Sequence, residues 1–374
     1  MLKEPCICGS FLFNQSSDLE EETALNLSAL GIKYIMEALK DEEGLVLGRI
    51  ALEHKRLYRV WTEEGEWLAE VSGRLRFEAE SRGDYPAVGD WVYMRPRGGE
   101  KKGMITEVVP RFSKFSRKAA GEPAEEQITA ANVNTIFLVN ALGLDFNVRR
   151  IERYLLLAWE SGANPVIVLS KADIADRIEE KVRQAESVAF GVPIHVISAH
   201  EGSGMDELKA YVKQGETVAL LGSSGVGKST IINFFLKEDR QAVQSVREDD
   251  DKGRHTTTHR EMFMLPEGGL LIDTPGMRAL ELWESEEGFR QSFSDIDQLA
   301  ETCRFSDCRH QTEPGCSVQE ALADGRLDAG RFQSYLKLKK ELEYLERKTD
   351  KRAMQQEKKR WKQISKSMKK NKNK

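Results

Sequence analysis

The residues with the clearest chemistry form a nine-residue loop, Gly222–Thr230, that follows an apolar run, Thr217–Leu221. The loop fits the pattern G-x-x-x-x-G-K-[ST] in the strand–loop–helix setting of a phosphate-binding loop. Glycines let backbone N–H groups turn onto a β-phosphate, Lys228 can reach the β- and γ-phosphates, and the Ser229 hydroxyl can bind Mg²⁺. The predicted phosphate site comprises Gly222, Ser223, Ser224, Gly225, Val226, Gly227, Lys228, Ser229 and Thr230.

A second segment, Leu271–Gly276, is an apolar strand that ends in D-T-P-G. Asp273 can hold Mg²⁺ through a water molecule, and the amide of Gly276 can meet a γ-phosphate. The segment therefore extends the predicted site to a nucleoside triphosphate with magnesium.

Two strand ends earlier in the chain indicate which base binds. The first carries S-K-A-D, which is Ser170, Lys171, Ala172 and Asp173. A carboxylate at Asp173 can accept two N–H groups from a guanine edge, a charge-assisted pair worth about 1.5–3 kcal/mol that adenine cannot match. The second ends in Ser198 and Ala199, which fit a backbone contact to the guanine carbonyl. Alone, S-K-A-D is more readily a coincidence, but beside the phosphate loop it predicts guanine.

These segments resemble the GTPase motif set in an unusual order. The base-reading segments at 170–173 and 198–199 precede the phosphate loop, whereas the usual order places them last. A circular permutation explains the order, because a sheet can be kept while the chain termini move to another surface position. It also places the segment after D-T-P-G next to whatever domain follows.

A polar loop, Glu248–Arg260, separates the phosphate loop from D-T-P-G. One of its threonines, Thr257 or Thr258, is predicted to complete the Mg²⁺ shell as part of a switch loop. Met277 follows D-T-P-G and cannot orient the attacking water as a glutamine would. His255 is the nearest polar candidate for that role, and a solvated loop histidine is the equally open alternative. Unassisted turnover should be slow, near ~10⁻³ s⁻¹ or below.

Four soft ligands lie within 14 residues near the C-terminus, in the spacing C-x₄-C-x-H-x₅-C. Three thiolates and one imidazole are a closed tetrahedral set for structural zinc, with no open position for catalysis. The predicted ligands are Cys303, Cys308, His310 and Cys316. The alternative is four independent polar residues in a reducing compartment.

Apolar strands alternate with amphipathic helices around the nucleotide motifs, which is typical of a parallel sheet covered by helices. The predicted strands are Thr135–Asn140, Pro165–Ser170, Pro193–Ile197 and Thr217–Leu221. The predicted helices are Val148–Ser161, Ile178–Phe190 and Met205–Lys213. The polar stretch Ser113–Val133 before them is predicted to be a linker, and the chain after about Phe289 to be helical.

Five short β-rich runs precede that linker and predict a small closed barrel, for which the OB-fold is the natural candidate. They are Leu45–Ile50, Leu57–Trp61, Glu66–Val71, Trp91–Met94 and Met104–Val109. Basic and aromatic side chains on such a barrel can bind nucleic acid, although Tyr58 and Trp61 can equally belong to its core. The available set is Arg56, Tyr58, Arg59, Trp61, Arg74 and Arg76.

The charge distribution is more informative than the net charge of −5. Lys337–Lys374 carries 16 Lys/Arg against 5 Asp/Glu, a surplus of 11 that leaves the rest of the chain near −16. A cationic tail on an acidic body indicates a polyanionic partner, or else a solvated helix. Apolar stretches such as Thr135–Leu142 are less than half of the ~20 residues of a membrane span, and Met1–Phe13 has no signal-peptide pattern, so a soluble cytoplasmic protein is expected.

The combination resembles the bacterial family of circularly permuted GTPases that depend on the small ribosomal subunit. The resemblance covers about Gly44 to the C-terminus, and the residues that carry it are P-A-V-G-D-W-V at Pro86–Val92, Gly222–Thr230, G-R-H-T-T-T at Gly253–Thr258, D-T-P-G and the zinc ligands. It implies that an OB-fold, a GTPase domain and a zinc-bearing helical domain bind the small subunit and its rRNA and act late in its assembly. It also implies that GTP hydrolysis to GDP is weak alone and stimulated by the subunit. Ser170 departs from the Asn or Thr common in the family, so its tether to the phosphate loop is expected to be weaker.

We therefore expect a multidomain α/β monomer with an extension (1–43), an OB-fold barrel (44–113), a circularly permuted P-loop GTPase domain (114–288) and a zinc-binding, basic helical domain (289–374). Its expected function is GTP hydrolysis that times release from ribosomal RNA. One alternative is a non-catalytic, nucleotide-switched RNA-binding factor, which Met277 keeps open. A GTPase with a soluble metabolic partner is a third, and it leaves the barrel and the basic tail unexplained.

Overall fold

A computed structural model describes residues 26–40, 43–54, 57–98, 101–118, 126–237, 260–273 and 286–344. Within these ranges no helix has the length and apolar character needed to cross a membrane.

The N-terminal barrel is confirmed. Its elements are strands β1 (Val46–His54), β2 (Leu57–Thr62), β3 (Gly65–Val71), β4 (Trp91–Pro96) and β5 (Lys102–Val108), and helix α1 (Gly73–Glu78). The strands close because β1 pairs with both β2 and β4, while β5 joins β3 to β4. Alternate residues of β3 point inward, as Trp67, Ala69 and Val71 do. Because successive side chains of a strand point to opposite sides, one side of the strand faces the barrel core.

One of the aromatic side chains predicted to be available for nucleic acid is instead buried in the barrel core. Tyr58 is 3% exposed and lies inside the barrel, so its core alternative holds. Trp61 is partly buried against the core, and its indole N–H is 3.3 Å from Glu66. Arg59 lies between Glu66 and Glu261, and Arg56 lies outside the described residues.

The stretch predicted to be a linker instead contains a hairpin of β6 (Lys114–Lys118) and β7 (Glu126–Ala131). Phe115 and Ile128 are buried, and Ser113 Oγ donates to the Val133 carbonyl at 2.7 Å. The linker prediction was wrong because a few inward apolar residues suffice for a strand pair that packs on a neighbouring domain, although the composition around them is polar.

The second unit is an α/β sheet with helices on its faces. Its strands are β8 (Thr135–Ala141), β9 (Asn164–Ser170), β10 (Ile194–Val196), β11 (Thr217–Leu221), β12 (Arg260–Met264) and β13 (Leu270–Asp273). Its helices are α2 (Val148–Ser161), α3 (Ile178–Glu186), α4 (Met205–Lys209) and α5 (Lys228–Leu236). The strands β10-β9-β8-β11-β13 run parallel in that order, and β12 is antiparallel to β13. The carboxyl ends of the parallel strands therefore share one edge, where ligands bind in such sheets.

Strand β12 joins this sheet to the barrel. It pairs antiparallel with the end of β1, with Leu52 opposite Glu261 and Glu53 opposite Arg260, so the two units form a continuous 11-stranded sheet. Beside this junction the buried guanidinium of Arg49 donates to the carbonyls of Gly89, Leu30 and Asn132 at 3.1, 2.5 and 2.8 Å. Backbone pairing and a buried cation thus hold the barrel in one orientation on the GTPase sheet.

The motif P-A-V-G-D-W-V lies at the same junction. A Cβ on Gly89 would sit 2.1 Å from the carbonyl oxygen of Ala131, and its φ of +93° is a conformation that favours glycine. The buried carboxylate of Asp90 accepts from Arg111 at 2.7 and 2.8 Å and from the Ala87 N–H at 2.8 Å. Burial raises the pKa of Asp90, and the Arg111 hydrogen bond opposes that shift.

The chain before the barrel also contacts both units. Residues 26–40 form two short 3-10 turns, Ile32–Tyr34 and Met36–Ala38. Lys33 pairs at 2.9 Å with Glu216, the residue before β11 of the GTPase sheet, and the Lys40 N–H donates to Tyr93 of the barrel at 2.7 Å. This part of the extension therefore braces the two units against each other.

The C-terminal unit consists of α6 (Glu286–Ser292), α7 (Ser294–Glu301), α8 (Ser317–Ala323) and a helix over 329–344. Phe289, Phe293 and Tyr335 pack together with ring centroids 5.0–5.5 Å apart. The buried Arg331 attaches this unit to α2 through Glu152, at 3.3 Å.

Candidate functional site

The phosphate loop begins where the buried strand β11 ends, and its last three residues, Lys228–Thr230, form the first turn of α5. A Cβ on Gly222 would lie 2.4 Å from the Val139 carbonyl, and Gly225 and Gly227 have φ values of +76° and +96°. Glycine is needed at these points because a side chain would strain the turn or collide with β8. The last turn leaves the first N–H groups of α5 at the mouth of the loop, which favours an anion there.

Lys228 lies across the loop. Its Nζ donates to the carbonyls of Gly222 and Ser223, both at 2.7 Å. The ammonium is therefore held over the segment that would enclose the phosphates, and Ser229 and Thr230 follow it in the first turn of α5.

The predicted base-reading segment, residues 170–173, lies directly against the phosphate loop. Ser170 Oγ donates to the Val226 carbonyl at 2.6 Å, so the tether expected to be weak is a short hydrogen bond. Lys171 adopts a left-handed conformation with φ of +62°, and a short 3-10 turn, Ala172–Ile174, presents Asp173. The structure thus brings residues 170–173 and 222–230 together across a chain separation of about 50 residues.

The second base-reading segment meets the first. Ser198 Oγ donates to Asp173 Oδ1 at 2.8 Å, and the Ala172 N–H donates to the Ile197 carbonyl at 3.1 Å. Ser198 is buried and Ala199 half-buried, whereas Asp173 is exposed. Asp173 is therefore held by one oxygen at the sheet edge while the carboxylate stays open to a ligand.

Asp273 ends β13, the neighbour of β11, and is 8% exposed. Its position at the same edge fits an Mg²⁺ site beside the phosphate loop, because carboxylate and hydroxyl oxygens are the ligands that Mg²⁺ prefers. The predicted residues His255, Thr257, Thr258 and Gly276 lie outside the described residues.

The sequence reasoning missed one cation at this edge. Arg150, in the first turn of α2, places Nη1 3.3 Å from Ser223 Oγ of the phosphate loop. The only signal in the sequence was a basic residue at the start of the helix that follows β8, which is too common to single out.

The four predicted metal ligands are brought together, with their ligand atoms within 4.8 Å of one another. Nδ1 of His310 lies 3.6 Å from Cys303 Sγ and 3.4 Å from Cys316 Sγ, and the two sulfurs are 3.8 Å apart. Ordinary zinc bond lengths give tetrahedral edges of about 3.8 Å between sulfurs and about 3.5 Å between sulfur and nitrogen. The cluster therefore fits a structural zinc ion.

Local hydrogen bonds and burial shift the pKa values of these ligands in different directions. Burial raises the pKa of Cys303, but the N–H groups of Val318 and Ser317 at the start of α8 and the neighbouring thiols outweigh burial and leave it lowered. Burial lowers the pKa of His310, which favours the neutral imidazole that binds metal, and burial raises that of Cys316 to about 11. Zinc binding must therefore displace a proton from Cys316.

A carboxylate shapes the loop between the last two ligands. Glu313 accepts from the backbone N–H groups of Gln311, Thr312 and Arg309 at 2.8, 3.0 and 3.1 Å. Three such bonds fold the loop so that His310 and Cys316 face the same point.

The permuted strand order, the phosphate loop and the base-reading segments define a circularly permuted P-loop GTPase, here with an N-terminal barrel and a C-terminal Cys₃His cluster. A family model described as RsgA GTPase matches residues 108–283. A model described as ABC transporter matches residues 205–372, a stretch that includes the phosphate loop. Relatives that align over most of the chain decide between the two, and the chain belongs to the RsgA GTPase family.

Two relatives illustrate the likeness. "Small ribosomal subunit biogenesis GTPase RsgA 1" of Oceanobacillus iheyensis is 46% identical over 350 residues, which cover 93% of this chain and all of the relative. "Small ribosomal subunit biogenesis GTPase RsgA" of Methanosarcina acetivorans is 44% identical over 331 residues, 88% of each chain.

Two solved structures are also similar. YjeQ from Thermotoga maritima is 30% identical with a TM-score of 0.61, over 80% of this chain and 98% of its own. YloQ, a circularly permuted GTPase, is 23% identical with a TM-score of 0.58, over 82% of this chain and 98% of its own, and it shares the fold.

Proposed function

We propose that this GTPase acts in the late maturation of the small ribosomal subunit, where GTP hydrolysis is stimulated by the subunit and leads to release. The observation that carries the proposal is the likeness, over 93% and 88% of this chain, to relatives named for small-subunit biogenesis. A monomer is the proposed form, and a cytoplasmic location follows from the proposed partner.

The arrangement at the sheet edge supports guanine nucleotide binding. Asp173 reads the guanine edge with its open carboxylate, and Ser198 and Ala199 complete the base pocket. The loop from Gly222 to Thr230 encloses the phosphates, and Ser229 and Asp273 would hold Mg²⁺, which supplies charge neutralisation for the leaving phosphate. The Ser170–Val226 hydrogen bond supports this assignment because it fixes the base pocket relative to the phosphate loop.

Hydrolysis requires a group that positions water. Met277 cannot do so, and we assign the role to His255, with Thr257 or Thr258 completing the Mg²⁺ shell and Gly276 meeting the γ-phosphate. A histidine that takes position only on the subunit would make hydrolysis slow alone and fast when the partner is bound.

Strand β12 is the proposed route from nucleotide to barrel. It follows the segment that carries His255, pairs with β13 at Asp273 on one side and pairs with β1 on the other. A change in the switch segment would therefore act on the barrel through backbone pairing. The barrel and the basic C-terminal tail are the proposed contacts with rRNA phosphates.

The zinc ion would be structural, held by Cys303, Cys308, His310 and Cys316 with no open position for substrate. When bound, zinc joins the α7 end to the α8 start, so it stabilises the C-terminal unit.

The test is GTP turnover with and without purified small ribosomal subunits. We expect the subunit to raise turnover well above the basal rate and to retain the protein when the GTP is non-hydrolysable. Lys228→Ala should bind neither GTP nor its non-hydrolysable form, and the subunit should not raise its turnover. Arg326→Ala, which breaks an exposed ion pair with Asp324, should behave as wild type. Subunit binding without any turnover would support the non-catalytic switch instead, and no effect of the subunit would refute the proposal.

A further inference from the structure

Helix α2 brings an arginine to the phosphate loop. Asn147 caps the helix, because its side chain accepts from the N–H groups of Arg149 and Arg150 at 2.9 and 3.2 Å. This cap fixes the first turn, from which Arg150 reaches Ser223 Oγ at 3.3 Å. The guanidinium therefore starts from a rigid support at the edge of the predicted nucleotide site.

The charge of Arg150 is less neutralised than that of the arginines beside it. Arg149 pairs with Glu152 at 2.8 Å, and Arg153 pairs with Glu341 at 2.8 Å. In contrast, the carboxylate paired with Arg150 within the described ranges is Asp145, at 3.9 Å. The Asp145 side chain is 71% exposed, so water screens this pair and it neutralises the guanidinium weakly. Nη1 also donates to the Asp145 backbone carbonyl at 3.3 Å, which orients the guanidinium without cancelling its charge.

Arg150 and Lys228 approach the same residue of the loop. Lys228 Nζ bonds to the carbonyl of Ser223, while Arg150 contacts its side chain. A phosphate-loop lysine reaches the β- and γ-phosphates, so Arg150 stands at that end of the loop and not at the base pocket. An anion arriving there would meet a cation with a planar fork of N–H donors, the group best suited to bind phosphate oxygens.

We propose that Arg150 is a catalytic residue that binds the γ-phosphate of GTP from within the same chain. In the reaction the water oxygen bonds to the γ-phosphorus, the bond to the β–γ bridging oxygen breaks, and GDP leaves with that electron pair while the water proton passes to phosphate or solvent. Arg150 keeps its protons and donates hydrogen bonds to the oxygens that carry the developing charge. The inference rests on the proposed nucleotide site, and it supplies the stabilising arginine that the motif set lacks.

The test compares Arg150→Ala, Arg150→Lys and Arg153→Ala in the full chain without ribosomal subunits. Arg150→Ala should lower single-turnover GTP hydrolysis about 10²-fold, below the larger effect of arginines in fully assembled GTPase sites. It should also weaken GTP binding while GDP affinity stays within about twofold, because GDP lacks the phosphate that Arg150 contacts. Arg150→Lys keeps the charge but lacks the planar fork of N–H donors, so its rate of GTP hydrolysis should fall between those of Arg150→Ala and the wild type. Arg153→Ala removes a cation from the same helix away from the loop and should hydrolyse GTP at the wild-type rate.

Wild-type hydrolysis in a folded Arg150→Ala would overturn the inference. An equal loss of GTP and GDP affinity would also overturn it, because that result means support of the loop and not contact with the γ-phosphate. If the alanine variant does not fold, Arg150→Gln decides by the same readouts. A wild-type chain that binds no guanine nucleotide would instead refute the nucleotide site itself, so the two failures are distinguishable.

Discussion

The attachment of the C-terminal unit to α2 gives a prediction whose size follows from the structure. Arg331 is 3% exposed on its side chain and bonds to Asp295 at 2.6 and 2.7 Å, to the Ser292 carbonyl at 2.8 Å and to Glu152 at 3.3 Å. Its guanidinium also lies 4.9 Å from the centre of the Phe293 ring. Replacing it with methionine keeps much of the apolar stem but takes the paired cation from Asp295, whereas the buried Glu152 keeps Arg149 at 2.8 Å.

Breaking a buried ion pair from one side costs about 3–5 kcal/mol, because the remaining charge stays desolvated. The loss should appear as local opening of the C-terminal unit, since Arg331 bonds to α6 and α7 within that unit and, through Glu152, to α2. Opening free energies of this kind are measured by native-state amide hydrogen exchange. Arg331→Met should therefore speed exchange in peptides from 286–344 by at least about 10²-fold, the equivalent of 3 kcal/mol.

Two further variants make the result specific. Asp295→Asn combined with Arg331→Met removes the carboxylate whose paired cation is lost and should recover part of the protection. Arg326→Ala breaks an exposed pair and should change exchange little. A change below about fivefold in Arg331→Met, or an equal change in Arg326→Ala, would refute the assignment of Arg331 as the anchor of the unit.

Three other predictions concern the nucleotide and metal sites. Asp173→Asn should shift nucleotide preference from guanine toward xanthine, because the amide pairs with the altered base edge; unchanged GTP affinity in a binding assay would contradict the base assignment. Chelation of zinc should unfold the C-terminal unit, by hydrogen exchange of 286–344, while nucleotide binding persists; protein purified without chelator that holds no zinc by metal analysis and has freely reactive thiols would show the prediction to be wrong. His255→Ala should lower subunit-stimulated turnover about 10²-fold with little change in GTP binding and a longer stay on the subunit; normal stimulated turnover and binding would return His255 to a solvated loop residue.

Much of the fold and of the candidate site could be predicted from the sequence, because the features involved are local in the chain. The phosphate loop, the permuted order of motifs and the spacing C-x₄-C-x-H-x₅-C are readable because each function depends on residues close in the chain. The alternation of apolar strands and helices predicted the GTPase sheet, with α2 and β11 at their observed bounds. The five barrel strands were also predicted, because their pleated apolar pattern is local. The domain boundaries and the roles of the individual site residues stay predictions, both for residues that the structure describes, such as Asp173 and Lys228, and for His255, Thr257, Thr258 and Gly276.

Contacts between distant segments were decided only by the tertiary structure. The hydrogen bonds Ser170–Val226 and Ser198–Asp173 depend on which strands become neighbours, and no local pattern states that order. The pairing of β12 with β1 likewise depends on how the barrel docks. Burial of Tyr58 was undetermined because an aromatic residue on a strand suits either face of the sheet, and only the closed barrel fixes which face is the core. The proposed role of Arg150 could not be predicted from the sequence for the same reason. It depends on the phosphate loop, which lies more than 70 residues away in the chain and which packing brings within 3.3 Å.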